Sequence, residues 1–226
     1  MYPIIKRGMD ILIAGIVLIL ISPLMIPVMI ILRFTAEGLV FYSQKRVGYK
    51  NKMFDIHKFV TMIKGSSKML NGSLTVKNDP RVTPVGKYLR MTKINELPQV
   101  FNVIKGDMSI VGPRPQMEVD FKAYPLEIQK TIYDVKPGIT GIGSIIFRDE
   151  QKIITESELG ARECYERVIA PYKGEVEIWY QKNASLYVDI MIILITAWVI
   201  IFPQSRIYYK IFKTLPRQPE ALAVYI

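Results

Sequence analysis

Apolar and polar residues are unevenly distributed along this chain. Residues 11–32 form a run of 22 positions without a formal charge. As a helix such a run is ~33 Å long, enough to cross the hydrocarbon core of a bilayer. Ser22-Pro23 lies at its middle and Pro27 one turn later. Each proline removes a backbone donor and crowds the carbonyl four residues back, so the pattern predicts a helix–break–helix with Ser22 and Pro23 at the break. Lys6 and Arg7 precede the run and Arg33 follows it; cations at both ends disfavour sending either end across. A re-entrant segment that enters and leaves by the same face meets both facts, with a straight span as the alternative. A cleaved signal peptide fits less well, because no small-x-small site follows the apolar run.

A second apolar run, residues 186–202, places Val188, Ile192, Ile195, Val199 and Phe202 at helical spacing and carries one charge, Asp189. Tyr180, Tyr187, Trp198, Tyr208 and Tyr209 surround it, and Lys182, Arg206, Lys210 and Lys213 flank it. Aromatics and cations around an apolar face predict an interfacial helix at headgroup level; a buried core helix is the alternative. Between the two runs, residues 39–43 and 54–59 read as strands around a turn at 48–51. Residues 62–70 can be helical, and 71–84 are loop. Leu97, Val100, Phe101 and Ile104 give one face of a short helix stopped by Gly106. The pattern predicts an α+β, helix-rich fold in three parts: a membrane element over 1–33, a cytosolic α+β unit over 34–185, and an interfacial helix with its tail over 186–226.

Composition sharpens this picture. Half of the 226 residues are hydrophobic, yet Lys and Arg outnumber Asp and Glu by 30 to 20. An apolar chain that is also basic suits an anionic membrane surface or a phosphate-rich ligand. The cations are dispersed rather than gathered in a stripe, which argues against nucleic acid. Cys164 is the single cysteine and His57 the single histidine, so an intramolecular disulfide is excluded and a His/Cys zinc site or Ser-His-Asp triad disfavoured. A metal, if bound, should be a hard cation on oxygen ligands. No GxxxxGK[ST] loop or Asp-x-Asp pair occurs, and Gly141-Ile-Gly143 begins a GxGxxG without completing it.

The candidate chemistry lies in residues 90–115. Pro98 is tolerated only where a helix has just begun, which puts Asn95 near an N-cap and Glu96 in the first turn. Capping and dipole effects alone account for that pair. Its surroundings suggest more. Arg90 and Lys93 stand just upstream, and a helix start with nearby cations suits phosphate. Downstream, Pro113 and Pro115 clamp Arg114, which preorganises a guanidinium for bidentate phosphate contact. Arg148-Asp149-Glu150, after the glycine turn 138–143, suits ribose, phosphate or metal, or else a solvated loop. Glu156, Glu158, Glu163 and Glu166 with Arg162 and Arg167 read as an exposed helix face.

The run TKINELPQVFNVIKGDMSIVGPRP resembles the bacterial sugar transferase family, monotopic polyprenyl-phosphate phosphoglycosyl transferases. The resemblance extends to KRGMDILIAGIVLILISPLMIPVMIILR, GLVFYSQKRVGYKNKMFDIHKFVTM, VKPGITGIGS and YVDIMIILITAWVII. It implies transfer of a sugar 1-phosphate from a UDP-sugar to undecaprenyl phosphate, with Mg2+, on the cytoplasmic face of the bacterial inner membrane, initiating glycoconjugate assembly. It implies a re-entrant N-terminal helix, magnesium on Glu96, and a pyrophosphate site built from Lys58, Arg90, Lys93, Arg114 and Arg148. Homo-oligomerisation is compatible with it. The family pattern places a nucleophilic aspartate where this chain has Asn95, and an arginine where it has Val60. A delocalised amide cannot form the acyl phosphate that such an aspartate would. Four readings follow: another carboxylate attacks (Glu96, Asp107 or Asp149), the lipid phosphate attacks directly, the protein binds or scaffolds within a glycan-assembly complex without turnover, or this is an inactivated form.

Overall fold

A computed structural model describes residues 1–35, 38–66, 69, 74 and 78–223. Helix α1, Tyr2–Thr35, runs uninterrupted through Pro23 and Pro27. The predicted helix–break–helix is therefore corrected to one helical element. A local reason is visible: Pro23 cannot donate to the Ile19 carbonyl, and the Ser22 hydroxyl donates to it instead at 3.0 Å. Asp10, Ala14, Met25, Val28 and Leu32 are buried, and Val17, Leu18 and Ile21 pack beside them. Spacings of three and four keep these residues on one stripe along the helix. Leu12, Ile19, Leu20 and Ile26, off that stripe, are exposed. Arg7 donates from both terminal nitrogens to the Val103 and Ile104 carbonyls, at 2.7 and 2.8 Å. At the other end Leu32 packs with Phe59, Val60 and Leu89. Both ends of α1 thus rest on the same body.

Strands β1 (Phe41–Val47) and β2 (Met53–Phe59) pair antiparallel, from Phe41↔Phe59 to Val47↔Met53. β1 starts two residues later than the pattern placed it. The intervening turn holds Lys50 and Asn51 in the left-handed region, at φ 55° and 57°. In place of the helix expected over 62–70, Met62 bridges to Val82, Lys64 and Gly65 form a turn, and Ser66 is in a 3-10 conformation. Residues 67, 68 and 70 of that expectation, and 71–73 and 75–77 of the expected loop, lie outside the described residues.

Helix α2 (Pro84–Met91) begins at Thr83, whose hydroxyl accepts from the Gly86 amide. Helix α3 (Gln99–Lys105) ends at Gly106, φ 100°, a left-handed cap that glycine takes without steric cost. Then come β3 (Ser109–Val111), α4 (Glu118–Phe121), α5 (Leu126–Thr131) and β4 (Gly138–Thr140). β3 and β4 pair in parallel, Ser109↔Gly138 and Val111↔Thr140. Here backbones touch: a Cβ on Gly138 would lie 2.1 Å from the Gly112 nitrogen, and one on Gly141 2.2 Å from the Gly112 oxygen. Glycine is the residue that permits this approach.

Helices α6 (Ile142–Ile146), α7 (Glu150–Glu156) and α8 (Ala161–Cys164) lead through a π-helical turn, Tyr165–Ile169, into α9 (Ala170–Asn183). Helices α10 (Leu186–Ile201), α11 (Ile207–Ile211) and α12 (Glu220–Ala223) complete the chain. The main core gathers Tyr133, Ile142, Tyr165, Val176 and Ile192, and the tail joins it through Tyr208, Phe212 and Leu215. The result is helix-rich with two small two-stranded sheets. The acidic face of 156–167 pairs along its own helices, Arg162 with Glu166 and Arg167 with Glu163, and Arg162 also reaches Asp120 on α4.

On α10 the predicted stripe divides. Val188, Ile192, Ile195 and Val199 are buried, while Phe202 is exposed with Tyr187, Ile190, Leu194 and Trp198. Asp189, the charge within this apolar run, is fully buried. It accepts from Tyr2 (2.9 Å) and Lys6 (2.7 Å) of α1 and from Tyr180 (2.7 Å) of α9. Asp189→Ala strands the Lys6 cation and two hydroxyls without their acceptor. It is expected to lower stability by about 3–5 kcal/mol, seen as an earlier denaturation midpoint of the detergent-solubilised full chain. Tyr187→Ala, on the exposed face, is expected to cost less than about 0.5 kcal/mol.

Candidate active site

Asn95 and Glu96 do not open a helix. They sit in a separate 3-10 turn, Ile94–Glu96, ahead of Pro98 and α3. Lys93 enters that turn at φ 60°, a left-handed conformation uncommon for a residue with a side chain. The capping role open to Asn95 is absent: its side chain caps nothing, and its Oδ1 is buried with no hydrogen-bond partner. Four residues on, the Gln99 Nε2 is likewise buried and unpaired. Buried polar atoms usually find partners, so each of these side chains keeps unused hydrogen-bonding capacity.

Glu96 is the centre of charge. Lys58 on β2 and Arg114 after β3 both donate to its Oε1, at 3.0 and 2.9 Å. Its Oε2 has no partner among the described residues. Burial pushes the Glu96 carboxyl up, but the Arg114 and Lys58 cations outweigh it and hold the group well below the usual carboxylate range. Burial pulls the Lys58 ammonium down to about 8, against the attraction of Glu96 and helped by Arg114 and Arg46. Glu96 in turn raises Arg114.

Arg114 is fixed from several sides. Its carbonyl accepts from the Tyr133 hydroxyl at 2.8 Å, and its amide donates to Glu177 Oε1 at 3.3 Å. Arg46 donates to the next carbonyl, Pro115, at 3.3 Å. The glycine contacts at 112, 138 and 141 set the backbone from which this loop departs.

Of the residues singled out in the sequence, Lys58, Glu96 and Arg114 meet directly, with Asn95 beside them. Arg90 and Lys93 lie within electrostatic reach, since Glu96 favours the charged form of each while burial opposes it. Arg90 also donates to the Thr61 hydroxyl at 3.4 Å. Arg148 is not brought onto Glu96. Its guanidinium donates to the Val199 carbonyl at 2.7 Å and to Asp149 at 2.6 Å, because the C-terminal end of α10 leaves carbonyls free in the direction Arg148 faces. Val60, the other departure from the family pattern, is buried against Leu32 and Leu89.

Sequence reasoning passed over three groups. Arg46 is a third cation near Arg114, with its Nε buried and unpaired. Glu177 on α9 is a buried carboxyl that desolvation pushes up to about 7, and its Oε2 has no partner. Gln99 is the third. Each reads locally as an ordinary strand or helix residue, and only the fold brings it to the site.

Residues 1–203 match the family model described as bacterial sugar transferase. Among curated relatives, the chain is 37% identical over 202 residues to a UDP-N-acetylgalactosamine-undecaprenyl-phosphate N-acetylgalactosaminephosphotransferase of Aeromonas hydrophila, covering 86% of this chain and 43% of that protein. It is 34% identical over 212 residues to an undecaprenyl-phosphate galactose phosphotransferase of Salmonella typhimurium, covering 87% and 40%. The chain spans about two fifths of the length of these relatives. A relative nearer in size, the exopolysaccharide production protein ExoY of Rhizobium meliloti, is 31% identical over 205 residues, covering 84% of this chain and 83% of that protein. With nearly its whole length matched in these ways, the chain belongs to the bacterial sugar transferase family.

Proposed function

We propose that the protein transfers a sugar 1-phosphate from a UDP-sugar to a polyprenyl phosphate at the cytoplasmic face of the inner membrane, the first step of a glycoconjugate. The observation that carries this reading is the Glu96 carboxylate held between Lys58 and Arg114, in a family whose relatives are named for this transfer. Support for a monotopic, re-entrant seating comes from α1, both of whose ends rest on the same body while its off-stripe apolar side chains are exposed. A helix leaving for the opposite face would carry one end away.

In this reading Arg114 and Lys58 receive the pyrophosphate of the nucleotide sugar, with Arg46, Arg90 and Lys93 adding to the positive field. Among the described residues no three His, Cys, Asp or Glu side chains cluster as a metal cage. Magnesium accepts one or two carboxylates completed by phosphates and water, so Glu96, through its free Oε2, fits as its protein ligand. When bound, the cation would neutralise charge on the phosphoryl oxygens.

The other carboxylates raised as nucleophiles each face a cation, Asp107 with Lys105 and Asp149 with Arg148, and Glu96 through its Oε1 with two. With Glu96 Oε2 assigned to the magnesium, we take direct attack as the route. An oxygen of the lipid phosphate bonds to the β-phosphorus of the UDP-sugar, the bond from that phosphorus to the bridging oxygen breaks, and UMP leaves with the electron pair. Asn95 orients a phosphoryl or hydroxyl group, and the clustered cations stabilise the departing charge.

UMP release is expected only when UDP-sugar, Mg2+ and undecaprenyl phosphate are present together, with no mass added to the intact protein. An adduct would overturn direct attack, and absence of UMP throughout would favour the non-catalytic reading. Glu96→Ala is expected to lower turnover by roughly 10²–10³-fold. A pH dependence follows from Lys58. Its ammonium is charged below about 8 and neutral above, so turnover is expected to fall as pH rises through that value. In Lys58→Arg, whose cation stays charged, the alkaline fall should vanish.

A further inference from the structure

Apart from the Glu96 cluster, the fold forms a small polar pocket, open to the surface, of about 190 Å³. One wall comes from residues 145–153 and the end of α10, including Arg148, Lys152 and Val199. The other comes from Gln204, Ser205, Arg206 and Tyr208, which lie beyond the segment matched by the family model. Three cations, Arg148, Lys152 and Arg206, face one carboxylate, Asp149, so the lining has a surplus of positive charge. Asp149 is already held by Arg148 at 2.6 Å, and Lys152 has only a distant partner, Glu156 at 3.9 Å. Arg206 has no ion pair among the described residues.

The cavity's position bears on what could fill it. Trp198 donates to the Ser205 hydroxyl at 2.9 Å, which ties the second wall to the exposed face of α10. Trp198, Ile200, Ile201 and Phe202 form an exposed apolar rim there. A basic pocket bordered by apolar side chains suits an amphiphile whose charged head enters the pocket while its chain lies along the rim. A freely soluble anion would gain nothing from the rim.

We infer that this cavity binds the phosphate of a membrane lipid, with Lys152 and Arg206 as its principal contacts and the lipid chain against Trp198 and Phe202. The site is separate from Glu96, and its occupancy requires no turnover. The shared chemistry is a lipid-borne phosphate, whether the diester of a bilayer phospholipid or the monoester of a polyprenyl phosphate.

The full chain, purified and delipidated in a neutral detergent, is titrated with phosphatidylglycerol, phosphatidylcholine, undecaprenyl phosphate or inorganic phosphate. Binding is read by native mass spectrometry and by the emission of Trp198 in a Trp179→Phe background. Wild type is expected to bind at least one of the two anionic lipids more tightly than phosphatidylcholine, and the tighter of the two identifies the source. Lys152→Gln with Arg206→Gln is expected to weaken that binding roughly 10- to 30-fold while the denaturation midpoint stays within a few degrees. Should that double variant fail to fold, Arg206→Gln alone is read against the same panel. Equal binding of phosphatidylglycerol, undecaprenyl phosphate and phosphatidylcholine would overturn the inference. So would unchanged affinity in a folded variant, or inorganic phosphate displacing the lipid at equal concentration. Because no arm measures UMP, a failed transfer reaction leaves this result independent.

Discussion

Two buried carboxylates on otherwise apolar helices set the geometry on which the rest depends. A charge removed from water must be paired or hydrogen-bonded, or the group will not stay ionised. Asp10 of α1 meets this demand by accepting from the Ser109 hydroxyl at 3.0 Å and the Ile110 amide at 2.9 Å. Asp189 of α10 meets it through Tyr2, Lys6 and Tyr180. Neither interaction can be traded for solvent, so each fixes a register. The first docks α1 on β3, the strand that leads to Arg114. The second locks the start of α1 to α10. The two elements with exposed apolar faces are thereby tied to one another and to the loop that reaches Glu96.

Within that frame the cation cluster is built by chain crossings rather than by one motif. Lys58 comes from a hairpin strand, Glu96 from a 3-10 turn and Arg114 from the loop after a parallel strand. Asn102, fully buried on α3, holds the first two together: its Oδ1 accepts the His57 amide at 3.1 Å and its Nδ2 donates to the Asp55 carbonyl at 2.8 Å. The amide reads the edge of β2 as another strand would. The third arm is set by glycines 112, 138 and 141, whose missing side chains let β3 and β4 approach and aim the proline-flanked arginine.

Much of this was legible in the sequence where a residue's consequence is local. The 22-residue apolar run, the strand–turn–strand, the stop at Gly106 and the α10 stripe follow from period and breaker chemistry. At Pro23 the helix continues without a break, because the Ser22 hydroxyl supplies the Ile19 carbonyl with the donor that the proline lacks. Asn95 was read as a cap because helix α3 was assumed to begin before Pro98, whereas the chain first makes an isolated 3-10 turn. Arg148, grouped with the phosphate ligands by the resemblance, hydrogen-bonds the Val199 carbonyl near the end of α10 and Asp149. Glu177 and Arg46 carried no readable signal, since a Glu on a helix and an Arg on a strand are ordinary until packing removes their water.

The amide at position 95 changes the electrostatics of the cluster as well as its chemistry. Around Glu96 stand Lys58, Arg114 and, farther off, Arg46. A second carboxylate next to Glu96 would cancel one of these cations before any ligand arrived. With Asn95 the surplus remains, and burial makes it costly to leave uncompensated. A pyrophosphate answers that surplus with its own charge, so the amide strengthens ground-state attraction for a nucleotide sugar. Such attraction does not by itself raise turnover, because it stabilises bound substrate and transition state alike. On the proposed direct route, the acceleration that a covalent nucleophile would provide comes instead from holding two phosphates in line, and two phosphates together carry more negative charge than one. A site short of one carboxylate is electrostatically better suited to hold both at once than a site that has it. On the proposed direct route the amide at position 95 would therefore leave room, in charge, for donor and acceptor phosphates to meet.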